Sequence, residues 1–250
     1  MLRPLMSLLE KDILLKTPLL ISLVSLSALL SYTVNADPKT PGTHPGYTTA
    51  EMLANGIPND LHMIDVSDIE HELQGKSPIA VGFDIDDTTL FSSPVFYRGQ
   101  QMFSPNGYEY LSNQKFWDKA NCGWDAFSMP KEIAQKLIAM HQSRGDDIYF
   151  ITGRTASPCH FTTDYLKKTF HIKKMNDVIF AGSSRTVYTK TQYIKAHKIQ
   201  IYYGDADGDI ISARQAGAEG IRVLRAANSS YKPLPKNGLY GERILRDSQY

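Results

Sequence analysis

Asp84, Asp86 and Asp87 crowd into the stretch FDIDDTTLFSSP (83–94), directly after an apolar run. Unpaired carboxylates are costly to bury, so an acidic cluster at the end of a buried strand needs cations or a ligand to balance it. Three later stretches carry matching chemistry. FITGR supplies Thr152, Gly153 and Arg154, VYTKTQYI supplies Lys190, and YYGDADGD supplies Asp205, Asp207 and Asp209. These residue types suit phosphoryl transfer. Carboxylates at Asp84 and Asp205 can hold a hard divalent cation such as Mg²⁺ through oxygen. An aspartate can attack phosphorus and carry it as an acyl phosphate. A second carboxyl two residues further on can protonate the leaving oxygen and then activate water. Thr152 can donate to a phosphate oxygen, and Lys190 can neutralise charge on the transferring group.

These stretches act together only if the chain brings them to one edge. Residues 78–84, 147–152, 177–182, 199–205 and 220–223 read as short apolar strands, most of them separated by helical patterns. SDIEHEL (67–73) opens with a Ser67–Glu70 capping box, residues 130–145 start on Pro130 and end on Gly145, and 161–170, 191–197 and 209–216 complete the helices. Strands alternating with helices predict an α/β fold, a Rossmann-like parallel sheet flanked by helices. In such a sheet the loops after the strands face one crevice, and every stretch named above is such a loop or lies between two strands. Residues 91–129 interrupt the alternation as an aromatic-rich, cap-like insertion after the first strand, of a length that is usually functional. Its rings also suit a small satellite core.

The chain has 250 residues and a formal charge of +1, which gives no electrostatic footprint for a nucleic-acid partner. Lys11 and Lys16 precede an uncharged run from Thr17 to Ala36 that ends in Val34-Asn35-Ala36. This reads as a signal peptide over residues 1–36, cut before Asp37 and directing export, with an uncut membrane anchor as the alternative. Once it is cut, no membrane association is expected. Residues 37–60, rich in proline and glycine, read as an extended N-terminal arm, and residues 61–250 as the main domain. Cys122 and Cys159 are the only cysteines. In an oxidising compartment they form a disulfide or remain free thiols, and the sequence leaves both open.

FDIDDTTLFSSP, FITGR, VYTKTQYI and YYGDADGD together resemble the haloacid-dehalogenase-type (HAD-like) phosphohydrolases, and among them the class B nonspecific acid phosphatases of the bacterial periplasm. The similarity runs through the whole chain after residue 36, including MPKEIAQKLI (129–138). It implies Asp84 as nucleophile and Asp86 as general acid and base. It implies Asp84, the Asp86 carbonyl and Asp205 as Mg²⁺ ligands, with Asp209 holding a metal-bound water. Thr152 and Lys190 match the phosphate-binding pair, with Gly153 and Arg154 beside them. Phe96, Leu111, Trp117 and Tyr231 match an aromatic pocket for the organic part of a small phosphomonoester. A homotetramer linked through the arm is also implied, as is phosphate transfer to alcohols.

Other readings of the same residues stand beside these. Asp87 reads as a turn residue, Asp207 as a solvated one, and Thr88 as a hydrogen-bonding residue of the motif loop. Phe96 and Trp117 also suit packing, and Arg154 also suits a salt bridge that never touches substrate. The histidines read as surface or core residues. As function, hydrolysis of many phosphomonoesters competes with a dedicated phosphotransferase and with a non-catalytic metal- and nucleotide-binding module.

Overall fold

The computed structural model describes residues 44–250, so the leader over residues 1–36 and the first part of the arm lie outside the described residues. In chain order the elements are α1 (Thr49–Asn55), β1 (Met63–Ile64), α2 (Val66–Leu73), β2 (Ala80–Phe83), β3 (Leu90–Phe91), α3 (Ser93–Phe103) and α4 (Gln114–Asn121). There follow β4 (Met129–Pro130), α5 (Glu132–Arg144), β5 (Asp147–Thr152), α6 (Phe161–Thr169), β6 (Ile179–Phe180) and α7 (Thr191–Ala196). The last are β7 (Ile199–Gly204), α8 (Asp207–Gln215), β8 (Glu219–Arg222) and β9 (Arg243–Leu245).

Seven strands form one parallel sheet in the order β1-β9-β8-β7-β2-β5-β6. From β2 the chain runs outward through β5 to β6, then returns to β7 on the other side and continues to β8. The winding therefore reverses beside β2, where diverging loops leave a crevice at the carboxyl ends of the strands. Alternation along the strands fills both faces. Val81, Phe83, Ile148, Phe150 and Tyr203 pack with Ile133, Leu137 and Ile138 of α5. Ile151, Ile199 and Tyr202 pack on the other face with Ile194 of α7 and Ala213 of α8.

The insertion stands on an antiparallel pair, Leu90 opposite Pro130 and Phe91 opposite Met129, which brings its two ends side by side. It has the expected satellite core, built from Val95, Phe96, Tyr110, Phe116, Trp117 and Ala120.

Local starts differ from the sequence reading in three places. The helix expected from Ser67 begins at Val66, because the Asp68 carboxylate accepts from the Asp65 N–H at 2.8 Å and caps it further upstream. Pro130 lies in β4, and α5 starts after Lys131, whose buried ammonium donates to the carbonyls of Asp87 (2.7 Å) and Leu224 (2.9 Å). Within the segment read as irregular, Thr48 and Glu51 form a capping box that starts α1. The α1 residue Met52 packs with Leu61, Leu224 and Ile244 at the β9 side of the sheet.

Beneath the central strands, His141 is fully buried between Asp146 (2.7 Å) and the Tyr203 hydroxyl (2.9 Å). Burial pushes its pKa below the ordinary 6.5, although Asp146 opposes the shift. The unfolded chain therefore binds the extra proton first, and stability is lost as the pH falls below 6.5. Denaturant titrations of the wild type should show this as a slope of at most about 1.4 kcal/mol per pH unit from this residue. His141→Gln should remove that part of the slope.

Candidate active site at the carboxyl ends of the strands

Asp84 follows β2 and keeps its backbone in the sheet, its N–H donating to the Tyr203 carbonyl at 2.9 Å. The chain then turns sharply. Asp87 takes a left-handed conformation (φ 57°), and the Thr89 N–H and hydroxyl donate back to the Ile85 carbonyl at 3.0 and 3.2 Å. This turn aims the Asp84 and Asp86 side chains into a cleft of about 350 Å³. Asp205 follows β7, and Asp209 lies in the first turn of α8. Gly204 allows that approach, since a Cβ there would collide with the Asp209 side chain.

Asp84, Asp205 and Asp209 each turn an oxygen to within 4.8 Å of the others, and all three are buried. Lys190, at the start of α7, donates to Asp84 Oδ1 at 2.5 Å and Asp209 Oδ1 at 2.6 Å. The Thr88 hydroxyl lies between Asp84 (3.3 Å) and Asp205 (3.1 Å). Arg225 donates to Asp205 Oδ2 at 2.5 Å. Thr152 and Gly153 line the same cleft.

Charge is unevenly matched here. Among the described residues, the carboxylates of Asp84, Asp86, Asp87, Asp125, Asp205 and Asp209 face the cations Lys131, Arg154, Lys190 and Arg225. With every group ionised, the cluster lacks two positive charges. Burial accordingly raises the Asp84 pKa well above the carboxylate range, against the pull of Lys190 and with help from Asp209 and Asp205. Asp87 is pushed up to about 6, mainly by burial. Burial opposes the charge on Lys190, but Asp209 and Asp84 hold its pKa well above the ordinary value. Three converging carboxylate oxygens with a deficit of two charges are the donor set and the electrostatics that a hard divalent cation fits.

The family model described as HAD superfamily, subfamily IIIB (Acid phosphatase) matches residues 46–234. A class B acid phosphatase from Marinomonas sp. (strain MWYL1) is 76% identical over 225 residues, 90% of this chain and 95% of that protein. The chain belongs to the class B acid phosphatases. A second relative of that name, from Rahnella sp. (strain Y9602), is 51% identical over 94% of this chain and 99% of its own length. Among solved structures, a haloacid dehalogenase-like family hydrolase from Streptococcus pneumoniae is 15% identical, with a TM-score of 0.46 over 68% of this chain and 95% of that one.

In this acid phosphatase Asp86 and Arg154 meet at the mouth of the site. Arg154 Nε donates to Asp86 Oδ2 at 2.8 Å, and Nη2 to Oδ1 at 2.7 Å. Burial pushes the Asp86 carboxyl upward, but the charge and hydrogen bonds of Arg154 hold it below the usual range. The far edge of the same guanidinium meets Asp125 at 2.8 and 3.0 Å and Asn121 Oδ1 at 3.2 Å, both from the insertion. All five N–H groups of Arg154 thus have protein acceptors, so the residue is tied inside the site rather than free for a ligand.

Phe96, Leu111, Trp117 and Tyr231 come together along one wall of the cleft. The Phe96 ring stacks on Tyr231 (centroids 5.6 Å apart), and the Trp117 indole N–H donates to the Leu111 carbonyl at 2.8 Å. Phe96 and Trp117 also belong to the satellite core, so packing and lining are one role. Asp207 pairs with the buried Arg222 at 2.9 Å, and Cys122 and Cys159 form a disulfide.

The sequence reading did not single out Asn121, Asp125, Lys131, Arg225 or Ser229. Arg225 follows β8, so extending the survey of strand ends by one strand would have found it. Asp125 carried a fainter signal, as a carboxylate inside an aromatic stretch. Ser229, which donates to Asp87 Oδ2 at 2.6 Å, carried none.

Removing the shared cation should leave two carboxylates unpaired. Arg154→Met is expected to lower unfolding free energy by about 3–5 kcal/mol in urea titrations of the full chain.

Proposed function

We propose that this class B acid phosphatase is an exported, Mg²⁺-dependent hydrolase of many small phosphomonoesters, and that Asp84 carries the phosphoryl group. The observation that carries the reading is the Asp84–Asp205–Asp209 cluster with Lys190 at the floor of a cleft, and Asp86 beside it at the mouth. Asp84, Asp205 and Asp209, with the Asp86 carbonyl, would hold Mg²⁺ directly or through water. Mg²⁺ would supply charge neutralisation between the carboxylate and the phosphate.

The chain's own residues supply the rest. Thr152 and Lys190 bind phosphate oxygens and stabilise the charge that spreads over them. The Asp84 carboxylate attacks phosphorus as the bond to the ester oxygen breaks, and the Asp86 carboxyl gives that oxygen its proton. The Asp86 carboxylate then takes a proton from water, which attacks phosphorus and releases inorganic phosphate with Asp84 regenerated. The Phe96–Leu111–Trp117–Tyr231 wall offers ring faces to nucleosides and aryl groups, which supports a broad substrate range. Export into the periplasm is supported by the apolar run ending at Ala36 and by the Cys122–Cys159 disulfide, which suits an oxidising compartment. A homotetramer follows from the family resemblance, and light scattering on the processed protein tests it.

Asp84→Asn tests the reading directly. Phosphate release from para-nitrophenyl phosphate and from a nucleoside monophosphate should fall to background, and added Mg²⁺ should not restore it. Wild type stripped with chelator should lose activity and regain it with Mg²⁺. Turnover by Asp84→Asn near the wild-type rate would exclude Asp84 as the nucleophile.

A cation bound at Asp84 would keep that nucleophile ionised, and the lowered pKa of Asp86 then sets the sign of the pH dependence. The carboxyl that must donate a proton is ionised in the free enzyme at neutral pH, so the competent fraction grows as the pH falls. With Mg²⁺ present, kcat/KM for alkyl phosphates should therefore rise from pH 7 toward acid. Esters of acidic phenols, which need little protonation of the leaving oxygen, should show a flatter profile.

A further inference from the structure

We propose that Asp125, carried by the insertion, is a positioning residue for Asp86 and acts through Arg154. The inference rests on the reading of Asp86 as proton donor and acceptor.

A guanidinium at the end of a long side chain holds a partner firmly only when its own plane is fixed. In this structure the plane is fixed from behind. Asp86 takes one edge of Arg154 through both carboxylate oxygens, and Asp125 takes another through both of its own. Asn121 accepts the remaining N–H at 3.2 Å. Asp125 is fully buried, and the Thr162 hydroxyl of α6 donates to its Oδ2 at 2.7 Å. Its own place is therefore set by an element of the main sheet domain.

The segment bearing Asp125 is bound to the chain that follows Arg154. Asn121 Nδ2 donates to the Thr155 carbonyl at 2.8 Å and to Ser157 Oγ at 3.0 Å. One residue further on, Cys122 is bonded to Cys159, with the Cα atoms 5.8 Å apart. These ties keep residues 121–125 against Arg154 and leave the guanidinium little room to rotate.

A second carboxylate on a guanidinium already paired with Asp86 is a poor choice for stability alone, since it leaves the buried trio one negative charge in excess. Its gain is geometric. Both oxygens of Asp86 are held where one of them must meet the leaving oxygen, and a shift of about 1 Å in such a group can cost on the order of 100-fold in rate. A residue that only secured the insertion would affect every substrate alike. One that places the proton donor matters most where the leaving group needs the proton.

The test is a leaving-group series, from para-nitrophenyl phosphate through phenyl phosphate to alkyl phosphates, assayed with full-chain wild type, Asp86→Asn, Asp125→Asn and Thr162→Val. Asp125→Asn keeps the shape of the side chain. Its kcat/KM, which reports leaving-group departure and not the later hydrolysis that Asp86 also serves, should fall by about 10- to 100-fold on alkyl phosphates and by less than about 3-fold on para-nitrophenyl phosphate. Thr162→Val removes the hydroxyl that meets Asp125 at 2.7 Å and the Asn121 carbonyl at 3.2 Å, both on the segment that holds Arg154, so it should show the same slope at smaller size, and it carries the test alone if Asp125→Asn fails to fold. A steep series for Asp86→Asn with a flat one for Asp125→Asn and Thr162→Val overturns this inference alone. A flat series for Asp86→Asn overturns the reading of Asp86, and this inference with it.

Discussion

A surplus of buried negative charge at the ends of β2 and β7 is the constraint on which the rest of this structure depends. Asp84, Asp205 and Asp209 converge within 4.8 Å, at a place where each ionised group repels the next. Lys190 and Arg225 offset part of that repulsion, and each comes from a separate element placed by the sheet. The remaining deficit suits a hard divalent cation, the guest proposed above. Burial and the neighbouring carboxylates Asp209 and Asp205 accordingly raise the pKa of Asp84 against the pull of Lys190. Stability and reactivity are thus opposed at the same atoms.

The insertion answers a second need. In the proposed reaction a floor of carboxylates and cations would bind phosphate but would not by itself place a proton. The insertion shapes the cleft and secures Arg154: Phe96, Leu111 and Trp117 form a wall, and Asn121 and Asp125 grip the guanidinium that holds Asp86. The disulfide joins this insertion to the loop after β5, so the segment that holds Arg154 is bound covalently to the segment that carries it.

Much of this was legible in the residues. β2, β5 and β7 are apolar runs that end in chemically distinctive loops, and parallel topology brings such ends together whatever the details between them. What escaped was set by long-range packing. β1 and β9 are two and three residues long and pair with each other only because the sheet extends to meet them. The helix α1 was hidden among prolines and glycines, although its Thr48–Glu51 box was present. Arg154 matched the position of a phosphate-binding residue, yet its partners lie 68 residues upstream at Asp86 and 29 upstream at Asp125. Saturation of all its donors is a property of three dimensions that spacing does not encode.

Asp84 is the proposed nucleophile, the carboxylate that captures phosphorus. That role is tested most directly by mixing the enzyme with a radiolabelled phosphomonoester, quenching in acid within milliseconds, and mapping the labelled peptide. The account predicts a hydroxylamine-labile acyl phosphate on Asp84. Label on any other residue, or phosphate released in the first turnover with no label ever on the protein, would contradict it.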